Sequence, residues 1–146
     1  MNELNDLYQE MILDHYKKPR NFGSLPGATA AAHGDNPLCG DRLALELRLA
    51  GDRIEDLRFR GSGCAISTAS ASLMTEAVKG KTKAEALAIF EKFHPMVTGL
   101  GGPDGLGKLE VFSGVSEFPV RVKCATLAWH TLRAALEGRK DPVSTE

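Results

Sequence analysis

The stretch Arg42-Leu43-Ala44-Leu45-Glu46-Leu47-Arg48-Leu49-Ala50-Gly51-Asp52-Arg53-Ile54-Glu55-Asp56-Leu57-Arg58-Phe59-Arg60 reads as two strands and a turn. Leu43, Leu45, Leu47 and Leu49 alternate with Arg42, Ala44, Glu46 and Arg48, so one face of the first strand is apolar. Gly51-Asp52 marks the turn, and Leu57 and Phe59 alternate with Arg58 and Arg60 on the way back. A plain two-residue turn sets Leu45 opposite Arg58 and mixes the faces. A one-residue shift, through a longer loop or a bulge, sets Leu45 opposite Leu57 or Phe59. The shifted register is the expectation. Either way, the open end of the hairpin brings Cys39 within about one residue of Cys64.

Helical spacing dominates on both sides of this hairpin. Leu4, Leu7, Tyr8, Met11 and Ile12 form one stripe, which should stop near Lys17-Lys18-Pro19 because proline disfavours helix in the residue before it. Asn21 to Asn36 reads as a loop or weak edge strand. After Cys64, the residues Ile66, Ala69, Leu73 and Ala77 predict a helix closed by Lys79-Gly80. Thr82 with Glu85 forms a capping-box pattern for a helix that uses Leu87, Phe90 and Phe93 and ends at His94-Pro95. Thr98 to Gly107 is a glycine-rich loop, and Leu109 to Phe112 a short helical turn. Pro119 suits the start of a last helix whose stripe is Ala125, Ala128, Trp129, Leu132, Ala135 and Leu136. The expected organisation is one domain over residues 1–146, with a core at about 3–137 and a frayed tail at 138–146.

Composition narrows the function. The 18 basic and 19 acidic residues give a net charge of −1, which removes the general electrostatic case for a nucleic-acid or anionic-membrane partner. The longest run free of Asp, Glu, Lys and Arg, Gly61 to Thr75, falls short of the ~18–20 apolar residues of a membrane span. The acidic start Met1-Asn2-Glu3-Leu4-Asn5-Asp6 is unlike a secretory signal, so a cytoplasmic location is expected. Three widely spaced cysteines do not make a disulfide framework, and they direct attention to metal or thiol chemistry.

Cys39-Gly40-Asp41 places a thiol and a carboxylate on the same side of extended backbone. Cys64 follows Gly61-Ser62-Gly63 at a helix start, where unpaired N–H groups favour a thiolate. Cys124 lies early in the last helix and meets the others only if that helix packs on the hairpin's open end. Three thiolates and a carboxylate at one point suit Zn²⁺. The same cysteines also fit a plainer reading, as small buried hydrophobes. His33, His94 and His130 are rival ligands, better suited to surface or capping positions. His130 lies six residues beyond Cys124, about 600° round the helix, and faces away from it. The run Gly99 to Gly107 lacks the Gly-Lys-Ser/Thr ending of a phosphate loop. Arg58, Arg60, Arg121 and Lys123 form either a basic rim near the cysteines or a solvated face.

Three segments carry a resemblance to a known family: Asn36-Pro37-Leu38-Cys39-Gly40-Asp41, Phe59-Arg60-Gly61-Ser62-Gly63-Cys64-Ala65-Ile66-Ser67, and Arg121-Val122-Lys123-Cys124-Ala125-Thr126-Leu127-Ala128-Trp129. Together with His15-Tyr16-Lys17-Lys18-Pro19-Arg20-Asn21, they resemble the iron–sulfur assembly proteins of the IscU/SufU family, which is related to the NifU N-terminal domain. The resemblance spans roughly residues 5–137. It implies an α+β fold, with a small antiparallel sheet of about three strands packed against several helices. Scaffolds of the IscU type carry histidine directly before the third cysteine, where this chain has Lys123. Glu117-Phe118-Pro119-Val120-Arg121 matches their Leu-Pro-Pro-Val-Lys motif only in part, and the stretch from Cys64 to Cys124 is longer. These departures point to the SufU branch. The resemblance then implies a zinc-dependent sulfurtransferase that accepts persulfide sulfur from a SufS-type cysteine desulfurase and passes it to a downstream iron–sulfur scaffold or thiol acceptor. The implied zinc ligands are Cys39, Asp41, Cys64 and Cys124. Cys39 is the implied nucleophile, freed when a desulfurase histidine takes its place on the metal. The alternative is an IscU-like scaffold that carries a transient iron–sulfur cluster.

Overall fold

A computed structural model describes residues 3–102, 104–139 and 141–145, with side chains from Leu7 onward. The chain runs α1 (Glu3–Lys17), β1 (Ala30–Asn36), β2 (Asp41–Ala50), β3 (Arg53–Ser62), α2 (Ala65–Val78), α3 (Lys83–Thr98), two 3₁₀ segments (Gly107–Phe112 and Val115–Glu117), α4 (Pro119–Leu136) and β4 (Val143–Ser144). The fold is α+β, with the strands in the order β3-β2-β1-β4. The β1–β2 and β2–β3 pairs are antiparallel and β1–β4 is parallel, so the sheet is mixed.

The hairpin adopts the shifted register. Ala50 pairs with Arg53 across a two-residue turn, and a bulge between Arg48 and Leu49 then sets Leu45 opposite Phe59. The bulge exists because it aligns Leu43, Leu45 and Leu47 with Leu57 and Phe59 on the buried face. Helices α2 and α4 cover that face, and Trp129 stacks between Phe90 and Phe93 in the core beyond. The opposite face carries Arg58 paired with Asp56 and Arg60 paired with Glu46, so these two arginines belong to a solvated sheet surface.

The first helix ends at Lys17, and Thr82 and Glu85 form the capping box that their spacing predicts. The expected contribution of Leu4 to the first stripe lies outside the described side chains. Three expectations are corrected. Residues 30–36 form a strand bonded on both sides, because small residues there let α4 approach closely. A Cβ at Gly34 would collide with Thr131 and press on Leu127. The tail is not frayed throughout: Gly34 pairs with Val143 and Asp35 with Ser144. Helix α3 passes through Pro95 to Thr98, because burial of Met96 and Val97 outweighs the single backbone bond that proline removes.

Candidate metal centre

Three element junctions meet at the open end of the hairpin. The β1–β2 turn carries Cys39 between exposed Leu38 and Gly40, whose φ of +73° suits glycine. Asp41 opens β2, is buried, and pairs across the ladder with Asn36, the last residue of β1. Beyond β3 the chain turns at Gly63, where a Cβ would lie 2.6 Å from Asp41 Oδ1. Only glycine lets the backbone pass this close to the carboxylate.

Cys64 is the N-cap of α2, and its sulfur accepts from the Ser67 N–H at 3.4 Å. Its own N–H donates to Asp41 Oδ1 at 2.9 Å. Cys124 comes from the second turn of α4 and is fully buried. The Ser70 hydroxyl helps to seat that helix by donating to the Ala125 carbonyl at 2.6 Å.

The ligand atoms of Cys39, Asp41 and Cys124 lie within 4.8 Å of one another. Cys64 falls outside that trio but lies close enough to interact with Cys124, whose thiol donates to the Val120 carbonyl at 3.6 Å. Interaction with the neighbouring Cys124 thiol is the main reason the Cys64 thiol is pulled down to about 6, with burial opposing and the Ser67 N–H assisting. The same interaction, together with burial, pushes the Cys124 thiol far up. Arg121 lies close enough to the cysteines for charge on Cys64 to raise its pKa.

The donor set suits a tetrahedral ion of zinc character. Bonds of about 2.3 Å to sulfur and 2.0–2.2 Å to oxygen bring neighbouring ligand atoms to roughly 3.4–3.8 Å, a small contraction of the observed cluster. No histidine joins the group of candidate ligands among the described residues. His33 is exposed on β1, and the rings of His94 and His130 meet edge to face with centroids 5.8 Å apart, with Phe90 against both. Of the four basic residues considered for a rim, Arg121 reaches the cysteines. Lys123 instead lines a cleft with His94, His130 and Arg133.

Sequence reasoning missed two residues. Asn36 is fully buried, and its Nδ2 donates both to Asp41 Oδ2 at 3.1 Å and to Cys124 Sγ at 3.4 Å. An asparagine before a proline looks like an ordinary turn residue, and only the β1–β2 pairing reveals its place. Gly63 marks a turn in the sequence, and nothing local shows that its backbone presses on Asp41. The site opens onto a groove of about 820 Å³, lined by Tyr8 and Ile12 of α1, Ile66, Val115, Phe118 and Arg121. No helix among the described residues is long and apolar enough to cross a membrane.

Comparison with known proteins identifies relatives of this chain. The family model described as the NifU-like N-terminal domain matches residues 7–141. The chain is 48% identical over 131 residues to the zinc-dependent sulfurtransferase SufU of Bacillus subtilis, covering 88% of each protein. It is 46% identical over 139 residues to the iron–sulfur cluster assembly scaffold protein IscU of Streptococcus pyogenes, covering 94% of this chain and 87% of that one. A crystal structure described as an iron–sulfur cluster assembly scaffold protein for the SUF system, from Fervidobacterium islandicum, superposes with a TM-score of 0.84 at 39% identity, covering 90% of this chain and 98% of that one. The chain belongs to the NifU N-terminal-like family of iron–sulfur cluster assembly proteins that includes IscU and SufU.

Proposed function

We propose that this protein is a zinc-dependent sulfur acceptor, which takes persulfide sulfur from a SufS-type cysteine desulfurase in the cytoplasm for iron–sulfur cluster biogenesis. Cys39, Asp41, Cys64 and Cys124 are the proposed zinc ligands, and Cys39 is the proposed nucleophile. One observation carries the choice of nucleophile. Backbone or amide N–H groups reach Asp41, Cys64 and Cys124, whereas among the described residues none reaches the Cys39 sulfur. Cys39 also sits on a turn, while Cys64 and Cys124 belong to helix ends. The similarity to the Bacillus subtilis sulfurtransferase and the presence of Lys123 before the third cysteine support the same reading.

Bound zinc keeps its cysteine ligands deprotonated at neutral pH. The residues of the chain do the rest. Cys39 swings out on its turn and presents a thiolate to the partner's persulfide. It attacks the terminal sulfur, and one S–S bond forms on Cys39 as the donor's S–S bond breaks. The electron pair leaves with the donor cysteine as thiolate, so there is no net oxidation. Arg121, exposed beside Cys64, holds a positive charge near the developing anions. The Cys39 persulfide then passes to a downstream scaffold or thiol acceptor.

The second reading is a scaffold that carries a transient cluster, favoured by the likeness to the Streptococcus pyogenes protein. One experiment separates the two. The zinc-loaded protein is incubated with a SufS-type desulfurase and cysteine, and trapped persulfides are mapped by mass spectrometry. Sulfur on Cys39 with zinc retained is the expected result. Zinc displaced by iron, with a stable cluster formed, would establish the scaffold instead.

A further inference from the structure

Asn36 makes an unusual trade. Its Nδ2 donates to two of the proposed ligands, while its Oδ1 is buried without a hydrogen-bond partner. A buried acceptor left without a partner loses the hydrogen bonds that water would give it in the unfolded chain. Turning the amide over would face the oxygen toward a carboxylate oxygen and a sulfur, so the acceptors themselves fix its orientation. A residue that mattered only for packing would more cheaply be apolar. The cost points to a role for the two N–H bonds.

Those bonds tie the site together across long stretches of sequence. One reaches Asp41, five residues away across the ladder, and the other reaches Cys124, 88 residues away on α4. Asp41 in turn accepts from the Cys64 N–H, so Cys64 is linked to the same amide at one remove. Both carboxylate oxygens of Asp41 are therefore oriented, one by Asn36 and one by Cys64. Cys39 lies outside this network. Its only tie to Asn36 runs through the backbone of the turn, from its N–H to the Asn36 carbonyl at 3.3 Å.

We infer that Asn36 is the positioning residue that separates three retained ligands from one released ligand. It pins Asp41 and Cys124 directly and Cys64 through Asp41, and leaves Cys39 as the one thiolate free to exchange. This inference rests on the zinc-site reading above. It adds that the selectivity for Cys39 is set by the amide that bonds to the other ligands rather than by Cys39 itself. Removing the partner of a ligand typically weakens metal binding by about 10–100-fold.

The test uses the intact zinc-loaded protein and an alkylating agent, with modification of each cysteine followed by mass spectrometry. In the wild type, Cys39 should be alkylated first. In Asn36→Asp, which keeps the shape but loses both donors, zinc transfer to a chelator should speed up by about 10–100-fold. Cys64 and Cys124 should then be alkylated together with Cys39. With cobalt in place of zinc, the thiolate charge-transfer band should move to lower energy, because the N–H bond to Cys124 is gone. A purely structural role would not move that band. If Asn36→Asp fails to fold, as judged by circular dichroism of the metal-free protein, Asn36→Ser carries the same measurements. A variant that keeps wild-type zinc release, Cys39 selectivity and cobalt spectrum would overturn the role of Asn36 and leave the zinc-site reading intact. A wild type that shows no preference for Cys39 would overturn both.

Discussion

The turn that holds Cys39 and the helix ends that hold Cys64 and Cys124 supply the same atom type in different mechanical settings. Cys64 caps α2, and its sulfur is bonded to the next turn of that helix. Cys124 is buried within α4, which packs on β1 and is bonded to α2. Cys39 is half-buried in a turn, between an exposed leucine and a glycine at positive φ. Ligands on rigid elements hold an ion, while a ligand on a turn can leave without disturbing the rest. The difference lies in the backbone and not in the side chain.

The largest effect expected on the fold comes from Cys124→Ala. It should lose the metal together with the stability that metal binding confers, about 4 kcal/mol at zinc a thousandfold above Kd. Melting should fall by on the order of 10 °C relative to the zinc-loaded wild type. Chelation should lower the wild type to a similar degree and leave the variant unmoved, which differential scanning calorimetry with metal analysis can check. A variant that kept its zinc would break the contrast between helix and turn.

Gly63→Ala should come next. Its Cβ would lie 2.6 Å from Asp41 Oδ1 and force the carboxylate away from the thiolates. Overpacking of this kind costs roughly 1–3 kcal/mol. Chemical denaturation of the metal-free protein should report that loss, and a chelator competition should show weakened zinc binding as well.

A smaller effect should arise on the same helix but away from the metal. Burial, Arg133 and His94 lower the pKa of His130 to about 4, and burial followed by Arg20 lowers that of His15. An unfolded histidine titrates near about 6.5, so the unfolded chain takes up protons that the folded one refuses. Stability should therefore fall as pH drops from about 6.5 toward about 4. In His130→Gln the melting temperature should decline less over that window, with zinc content unchanged at pH 7.

The smallest effect on the fold belongs to Cys39→Ala, which should keep its zinc on the three remaining ligands and melt within a few degrees of the zinc-loaded wild type. Its activity should differ sharply. Stimulation of a SufS-type desulfurase, followed as alanine or sulfide release, should be abolished. Stimulation that survived the substitution would transfer the nucleophile's role to one of the helix-borne cysteines.

Much of this contrast was legible in the residue pattern. The period-two alternation of Leu43 to Leu49 defines β2, and matching the apolar faces of the hairpin brings Cys39 toward Cys64. Capping at Thr82 and the proline at the start of α4 were equally direct. β1 was obscure because Ala30-Ala31-Ala32-His33-Gly34 has no alternation; tertiary packing of α4 on small residues makes it a strand. β4 has two residues and depends on its partner for its existence. Asn36 was hidden for a related reason: its acceptors lie across a ladder and on a distant helix, and nothing local marks it.

The 88-residue separation between Asn36 and Cys124 also orders events in time. The hairpin and the α2 cap bring Cys39, Asp41 and Cys64 together through contacts nearby in sequence, which form early and at low entropic cost. Cys124 arrives only when α4 docks. During synthesis the nascent chain therefore exposes two thiols and a carboxylate before the third thiol has been made. The complete site then signals that the C-terminal helix has found its place, and a metal ion held by all four ligands would latch a chain that has already finished folding.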